Sequence, residues 1–211
     1  QMYKVVSKPG RRIKLLALLA PGDLMTNIPL EFLVEGAGVA LQILYLAPHL
    51  RLPETLPEHD IAIVAVSELD RNRPVLAILQ QLYNNWPVPL LNHPQAIANM
   101  SRDVIWQHLQ NLAGVYIPQT VRISRQQLIR VSQGRVAVTA ILPKDKFPLI
   151  IRPVDSHAGD GLEKIESIHA LQQYLLTHEQ AQFFISAFID YRDAQGLYRK
   201  YRIILMDGKP F

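Results

Sequence analysis

The chain has 211 residues, 49% hydrophobic and 19% charged, with a formal charge of +4 and no cysteine. That length suits one large or two small domains of about 100–200 residues, and the aliphatic-rich composition excludes a fibrous or disordered chain. Without cysteine, a disulfide framework, a thiolate metal site and a cysteine nucleophile are excluded as well.

Residues 13–20, IKLLALLA, form the longest apolar run. At about eight residues it falls far short of the roughly 20 that span a bilayer, so it reads as a strand. Pro21-Gly22-Asp23 follows directly with no small-residue cleavage pattern, which argues against a signal peptide despite Arg11 and Arg12. A cytoplasmic setting without a membrane partner is expected, and an oligomer stays open. The mild basic excess suits anionic ligands such as nucleotides and lacks the basic stripe of a nucleic-acid binder.

Further apolar runs at 39–46, 60–66 and 88–91 alternate with amphipathic stretches at 27–35 and 74–83. Near-continuous strands separated by helices predict βαβ units on a parallel sheet covered on both faces. Residues 1–91 are therefore expected to form a small doubly wound α/β domain. Asn92-His93-Pro94 breaks the pattern, and Ser101-Arg102-Asp103 opens a helix whose Val104, Ile105, Leu109 and Leu112 repeat at helical spacing up to Gly114.

The texture of residues 92–211 is α+β. Strands are predicted at 119–123, 148–153, 182–189 and 198–206, and helices at 125–131 and 167–175. Asp207-Gly208 is a hairpin turn signal.

Two places attract chemistry. Pro21-Gly22-Asp23 follows the first strand, where open α/β sheets bind ligands, so Asp23, Thr26 and Asn27 either contact a co-substrate or simply cap the next helix. Residues 147–164, FPLIIRPVDSHAGDGLEK, run an apolar strand into Arg152 and a loop with Ser156, His157, Gly159 and Gly161. Small residues let backbone amides converge on an oxyanion, and a cation at the strand end fixes its charge. The spacing fits neither the P-loop nor the dinucleotide fingerprint, and a glycine-rich hairpin tip without a ligand fits the same residues. The other histidines, His49, His59, His93, His108, His169 and His178, show no metal-ligand spacing. The mixed aromatic and basic run at 191–202 reads as a solvated strand.

The 147–164 stretch resembles the phosphate loop of the ATP-grasp superfamily, in which a strand ending in Lys-Pro or Arg-Pro leads into a flexible Ser/Gly-rich turn. PLLNHPQAIANMSRD followed by a helix and VYIPQT resembles the start of that superfamily's central domain. FFISAFID resembles the hinge strand that reads adenine, and YRKYRIILMDGKPF the strand pair after it. Glutathione synthetase and the ribosomal-protein glutamate ligases are the branches it is most similar to.

The resemblance implies a small pre-grasp domain at 1–91 and the N-terminal part of the grasp domain at 92–211. It implies ATP and magnesium as cofactors and a carboxylate as substrate. Arg152 and Arg202 would hold phosphates, and Ser156, His157, Gly159 and Gly161 would cap them. Ser186, Ala187, Phe188, Ile189 and Asp190 would line adenine and ribose. Members often carry Asp-Lys where this chain has Asp103-Val104, so Arg102 would substitute, and Ala187 stands where a hinge acid is common. Magnesium ligands would lie on strands after the hinge, so no metal ligand is expected in this chain and the fragment itself would not turn over. The implied function of the full protein is an ATP-dependent carboxylate–amine ligase acting through an acyl phosphate. The alternative is a non-catalytic binding or regulatory module of a larger multidomain protein.

Overall fold

The computed structural model describes residues 2–4, 13–143, 146–201, 203–206 and 208–210. The first sheet contains β1 (Met2–Lys4), β2 (Ile13–Leu19), β3 (Val39–Tyr45), β4 (Ile61–Val64) and β5 (Leu90–Leu91), in the order β1-β3-β2-β4-β5. β3, β2, β4 and β5 are parallel, as the continuous apolar runs predict; β1 adds an antiparallel edge that the sequence reading missed. Residues 16–20 are all buried because both faces are covered. Leu16 and Leu18 meet Val75, Leu76 and Leu79 of α2 (Arg73–Tyr83) and Ile97 of α3 (Pro94–Ala98), while Ala17 and Leu19 pack with Leu30 of α1 (Leu30–Leu33) on the other side. Each such leucine contributes about 1.5–3 kcal/mol of burial.

The helix predicted at 27–35 shrinks to α1. The Asn27 side chain accepts from the Ala20 amide at 2.8 Å and donates to the Ala20 carbonyl at 2.7 Å, and Asn27 forms a lone bridge with Val66. That pairing holds the backbone extended, and Pro29 restricts the residue before it. Asn27 is thus a strand mimic rather than a helix cap.

Next, α4 (Arg102–Leu109) leads into the second sheet: β6 (Thr120–Ser124), β7 (Leu149–Pro153), β8 (Glu163–Ile165) and β9 (Gln182–Ala187), ordered β6-β9-β7-β8 and antiparallel throughout. α5 (Arg125–Ser132) and α6 (Ile168–Thr177) lie on one face only. α5 starts with a capping box: the Gln127 amide donates to Ser124 Oγ at 3.2 Å and the Ser124 amide to Gln127 Oε1 at 3.1 Å. Leu149 and Ile151 of β7, Phe183 and Ile185 of β9, Leu128 of α5 and Leu171 of α6 make one core.

Among the described residues of the strand predicted at 198–206, only 205 and 206 are in a strand. Residues 198–201 have no regular structure, and only β10 (Leu205–Met206) pairs, with β11 (Lys209–Pro210), across a turn in which Gly208 has φ 72°. Local charge pairs hold the preceding segment as a loop, Arg192 on Asp190 and Arg199 on Asp193, each at 2.5 Å. The pairing of β10 with β11 forms a hairpin where the sequence signals one. Asp207 lies outside the described residues.

Candidate functional site

Strand alternation sorts the second sheet's side chains. Because Leu149, Ile151, Phe183 and Ile185 face the helices, the opposite face carries the alternate set. Register aligns Arg122, Phe184 and Arg152 in one row, and Thr120, Ser186, Ile150 and Lys164 in the next, about 7 Å along the strands. Three cations therefore stand on a face that no helix of the second core covers. A ligand reaching from the Arg152 row past Ser186 to residue 188 would have to be extended.

The cations differ in how they are balanced. Arg122 Nη2 donates to Asp70 Oδ1 at 3.0 Å, Nη1 also donates to Asp70, and Nε lies 3.7 Å from Asp103. Its guanidinium stacks 5.1 Å from the Phe184 centroid. Lys164 pairs with Glu166 at 2.7 Å and sits 4.1 Å above the Phe188 ring. Arg152 is 9% exposed, and its hydrogen bonds go to neutral groups of Ser156: Nε to Oγ at 3.1 Å, Nη2 to Oγ at 3.0 Å, and Nη2 to the carbonyl. Burial, and then repulsion from Arg102, hold the Arg152 guanidinium below its usual pKa. A buried guanidinium whose hydrogen bonds go to neutral groups keeps its charge for an anion.

The loop after β7 is shaped around this arginine. Gly161 has φ +60°, and a Cβ there would meet the Pro153 ring at 2.7 and 2.8 Å, so glycine is required for the loop to close on its own strand. Its carbonyl accepts from the Tyr174 hydroxyl at 2.7 Å. Gly159, at φ +86°, has open space around it. Asp155 and Ala158 adopt left-handed φ values of 61° and 51° without being glycine. His157 Nε2 is buried with no hydrogen-bond partner among the described residues. A crevice of about 40 Å³ separates Ser156, His157 and Asp155 from Arg102, Arg122 and Glu68. Burial pushes the Glu68 carboxyl up, as do Asp70 and Asp155, against the pull of Arg73.

Of the residues singled out from the sequence, Ser156 and His157 line this crevice, Arg152 is hydrogen-bonded to Ser156, and Gly159 and Gly161 belong to the same loop. Ser186 and Ala187 end β9, with Ser186 on the open face. The Phe188 amide is already donating to the Pro148 carbonyl at 3.2 Å. Asp190 accepts from Arg192 Nε at 2.8 Å and from the Tyr198 hydroxyl at 3.2 Å, and the Arg192 bonds hold its carboxyl down to about 2. Ile189 follows the strand, and Arg202 lies outside the described residues.

Thr26 is buried, whereas Asp23 is exposed and, with Gly22 and Asn27, lines a pocket of about 220 Å³ beyond the end of β2. Arg71 Nη2 donates to both Asp23 oxygens, at 2.9 and 3.0 Å, and to Thr26 Oγ1 at 3.2 Å. Sequence reasoning missed Arg122, Lys164, Glu68 and Asp155. Only Asp155 left a local signal, as an aspartate beside small residues that tolerates a left-handed conformation.

No family model and no curated protein matches this chain. Solved structures do. The D-alanine–D-alanine ligase of Bacillus anthracis complexed with ATP aligns with TM-score 0.55 and 12% identity, over 85% of this chain and 58% of that one. D-alanyl-alanine synthetase A of Vibrio cholerae aligns with TM-score 0.55 and 9% identity, over 95% and 65%. The VanG D-Ala:D-Ser ligase of Enterococcus faecalis aligns with TM-score 0.51 and 13% identity, over 85% and 63%. The chain thus spans 58% to 65% of the length of these ligases. Among the described residues no helix is long and apolar enough to cross a membrane, and no group of three or more His, Asp or Glu is placed to hold a metal. A parallel sheet covered on both faces, followed by an antiparallel sheet with one open cationic face, is here the ATP-grasp fold.

Proposed function

We propose that the open face of the second sheet binds ATP, with the phosphates between Arg152 and Arg102 under the 154–161 loop and the adenine toward residues 186–190. In this reading the protein serves an ATP-dependent carboxylate–amine ligase that works through an acyl phosphate, residues 1–91 offering the co-substrate and 92–211 the nucleotide. The observation that carries it is a crevice lined by Arg102 of α4, Arg122 of β6 and Ser156 and His157 of the small-residue loop, with Arg152 of β7 hydrogen-bonded to that same Ser156. Such cations lower the energy of a triphosphate and of the charge that develops as its terminal phosphoryl group moves. The described residues supply no ligand set that fits magnesium, so none of the chemistry proposed for them runs through the metal.

Calorimetric titration with MgATP tests the site. Binding by the wild-type chain should weaken at least about tenfold in Arg152→Ala and Arg102→Ala, the loss expected for a charge-assisted phosphate contact. Equal heats from all three proteins would remove the phosphate assignment.

A second reading, a binding or regulatory module without turnover, is favoured by the hinge. Ala187 replaces an acid, the Phe188 amide is engaged, and Asp190 is tied to Arg192. It predicts no steady ADP release with any carboxylate and amine supplied, and ADP release dependent on one such pair would exclude it.

A further inference from the structure

The 154–161 loop is fastened from the far side. The Asp155 carboxylate accepts the backbone amides of Asp70 at 2.7 Å and Arg71 at 3.2 Å, residues of the short turn that precedes α2 in the first half of the chain. The receiving turn is itself held in place. Asp70 is gripped by Arg122 and by Arg73 at 3.0 Å, Arg71 by Asp23 and Thr26, and the buried Asn72 donates to the Thr26 and Ser67 carbonyls at 2.9 Å. A carboxylate taking two amides at the start of a helix makes strong, charge-assisted bonds.

Docking has two costs visible in the loop. Asp155 and Ala158 are held at positive φ, a conformation that disfavours residues with a Cβ, and Arg152 is turned onto Ser156. The docked loop also leaves only about 40 Å³ beside Arg102, room for a few waters and not for a phosphate chain. The bonds that fasten the loop therefore hold shut the place where the phosphates would go.

We propose that Asp155 is an autoinhibitory latch: docked on the turn before α2, it keeps the 154–161 loop closed over the crevice lined by Arg102 and Arg122, and nucleotide enters only when it lets go. The proposal rests on the nucleotide reading above for what the closed crevice would hold, while the latch itself is a statement about the free protein. Apparent affinity scales with the fraction of molecules in the competent, released state, so loosening the latch should tighten nucleotide binding.

The test uses the full 211-residue chain and two variants. Asp155→Asn keeps a residue that accepts left-handed φ and removes the charge; Asp155→Gly frees the backbone and removes the acceptor. Amide hydrogen exchange of residues 69–72 and 154–161, without nucleotide, should speed up by about tenfold in both variants, the scale of losing one charge-assisted bond. MgATP should then bind more tightly than to wild type, by up to a similar factor. Unchanged exchange in Asp155→Asn overturns the latch, and so does faster exchange coupled to weaker MgATP binding, which would make docking a support for the nucleotide. Faster exchange in both variants, with no MgATP binding by any of the three proteins, upholds the docking and removes the nucleotide reading instead.

Discussion

The two sheets of this protein solve the same packing problem in opposite ways. In the first, neighbouring residues of β3 both reach a core: Ile43 belongs to the α1 side and Leu44 to the α2 side, and both are buried. In the second, Leu149 and Ile151 of β7 reach the helices, whereas Ile150 and Arg152 between and beside them share the face that bears Arg122 and Lys164. A strand covered by helices on both sides is scaffold along its whole length, while a strand with helices on one side only can carry polar side chains on the other. Here these are Arg152, buried beneath its own loop, and, on β8, the exposed Lys164. Continuous apolar sequence thus marks where this chain is built, and a cation interrupting alternation marks the face proposed to bind nucleotide.

Adjacent-residue pairs break or sharpen that contrast most strongly. Ile43→Ala and Leu44→Ala should each cost about 2–5 kcal/mol in chemical denaturation, because each leaves a cavity in a closed core. Ile151→Ala should cost about as much, but Ile150→Ala only about 1 kcal/mol, since that side chain is partly exposed and lies outside the helix-covered core. If Ile150→Ala proves as costly as Ile151→Ala, the second sheet is covered on both faces and the open-face reading fails.

How far the sequence spoke follows the same division. The runs at 13–20, 39–46 and 60–66 became β2, β3 and β4, because a doubly buried strand needs an unbroken apolar string. The amphipathic spacing at 74–83 made α2 readable. β8 was missed because Glu163, Lys164 and Ile165 are too few to show a period and are paired only through β7. The helix at 27–35 was overread because nothing local reveals that Asn27 will bond across seven residues to Ala20. Arg152 and Ser156 were singled out from a strand-end cation beside a small-residue loop, and the fold bonds them to each other across four residues. Asp155 meets Asp70 across 85 residues, and Arg122 meets it across 52. Contacts of that span are made by the fold and leave no mark in either segment.

Within the loop, the two inner glycines offer a sharper version of the contrast between filled and open surroundings. Gly161 has both positive φ and the Pro153 ring within 2.8 Å of where a Cβ would stand, while Gly159 has positive φ alone. Gly161→Ala should therefore cost about 2–3 kcal/mol, combining left-handed strain with a clash against a rigid ring. Gly159→Ala should cost about 1–2 kcal/mol from the backbone alone. Thermal denaturation of both variants decides the point, and equal losses would mean that Pro153 yields and that the loop base is not tightly packed.

The smallest effect lies where the two halves meet, and it carries a pH signature. Burial alone would push the Asp70 carboxyl up, but hydrogen bonds and charge from Arg122, then Arg73, hold it below its ordinary value. A carboxylate depressed in the folded state binds protons less readily there than in the unfolded chain. Its contribution is therefore complete above the unfolded value of about 3.9 and is lost as pH falls through the lower folded value. With both side chains less than a third exposed, Asp70→Asn should cost about 1–2 kcal/mol at pH 7. The gap between wild type and Asp70→Asn should stay constant from pH 7 to about pH 5 and close as pH falls below about 4. A gap that persists unchanged at pH 3 would mean that the shape of the Asp70 side chain, and not its charge on Arg122, joins the parallel sheet to the cationic face.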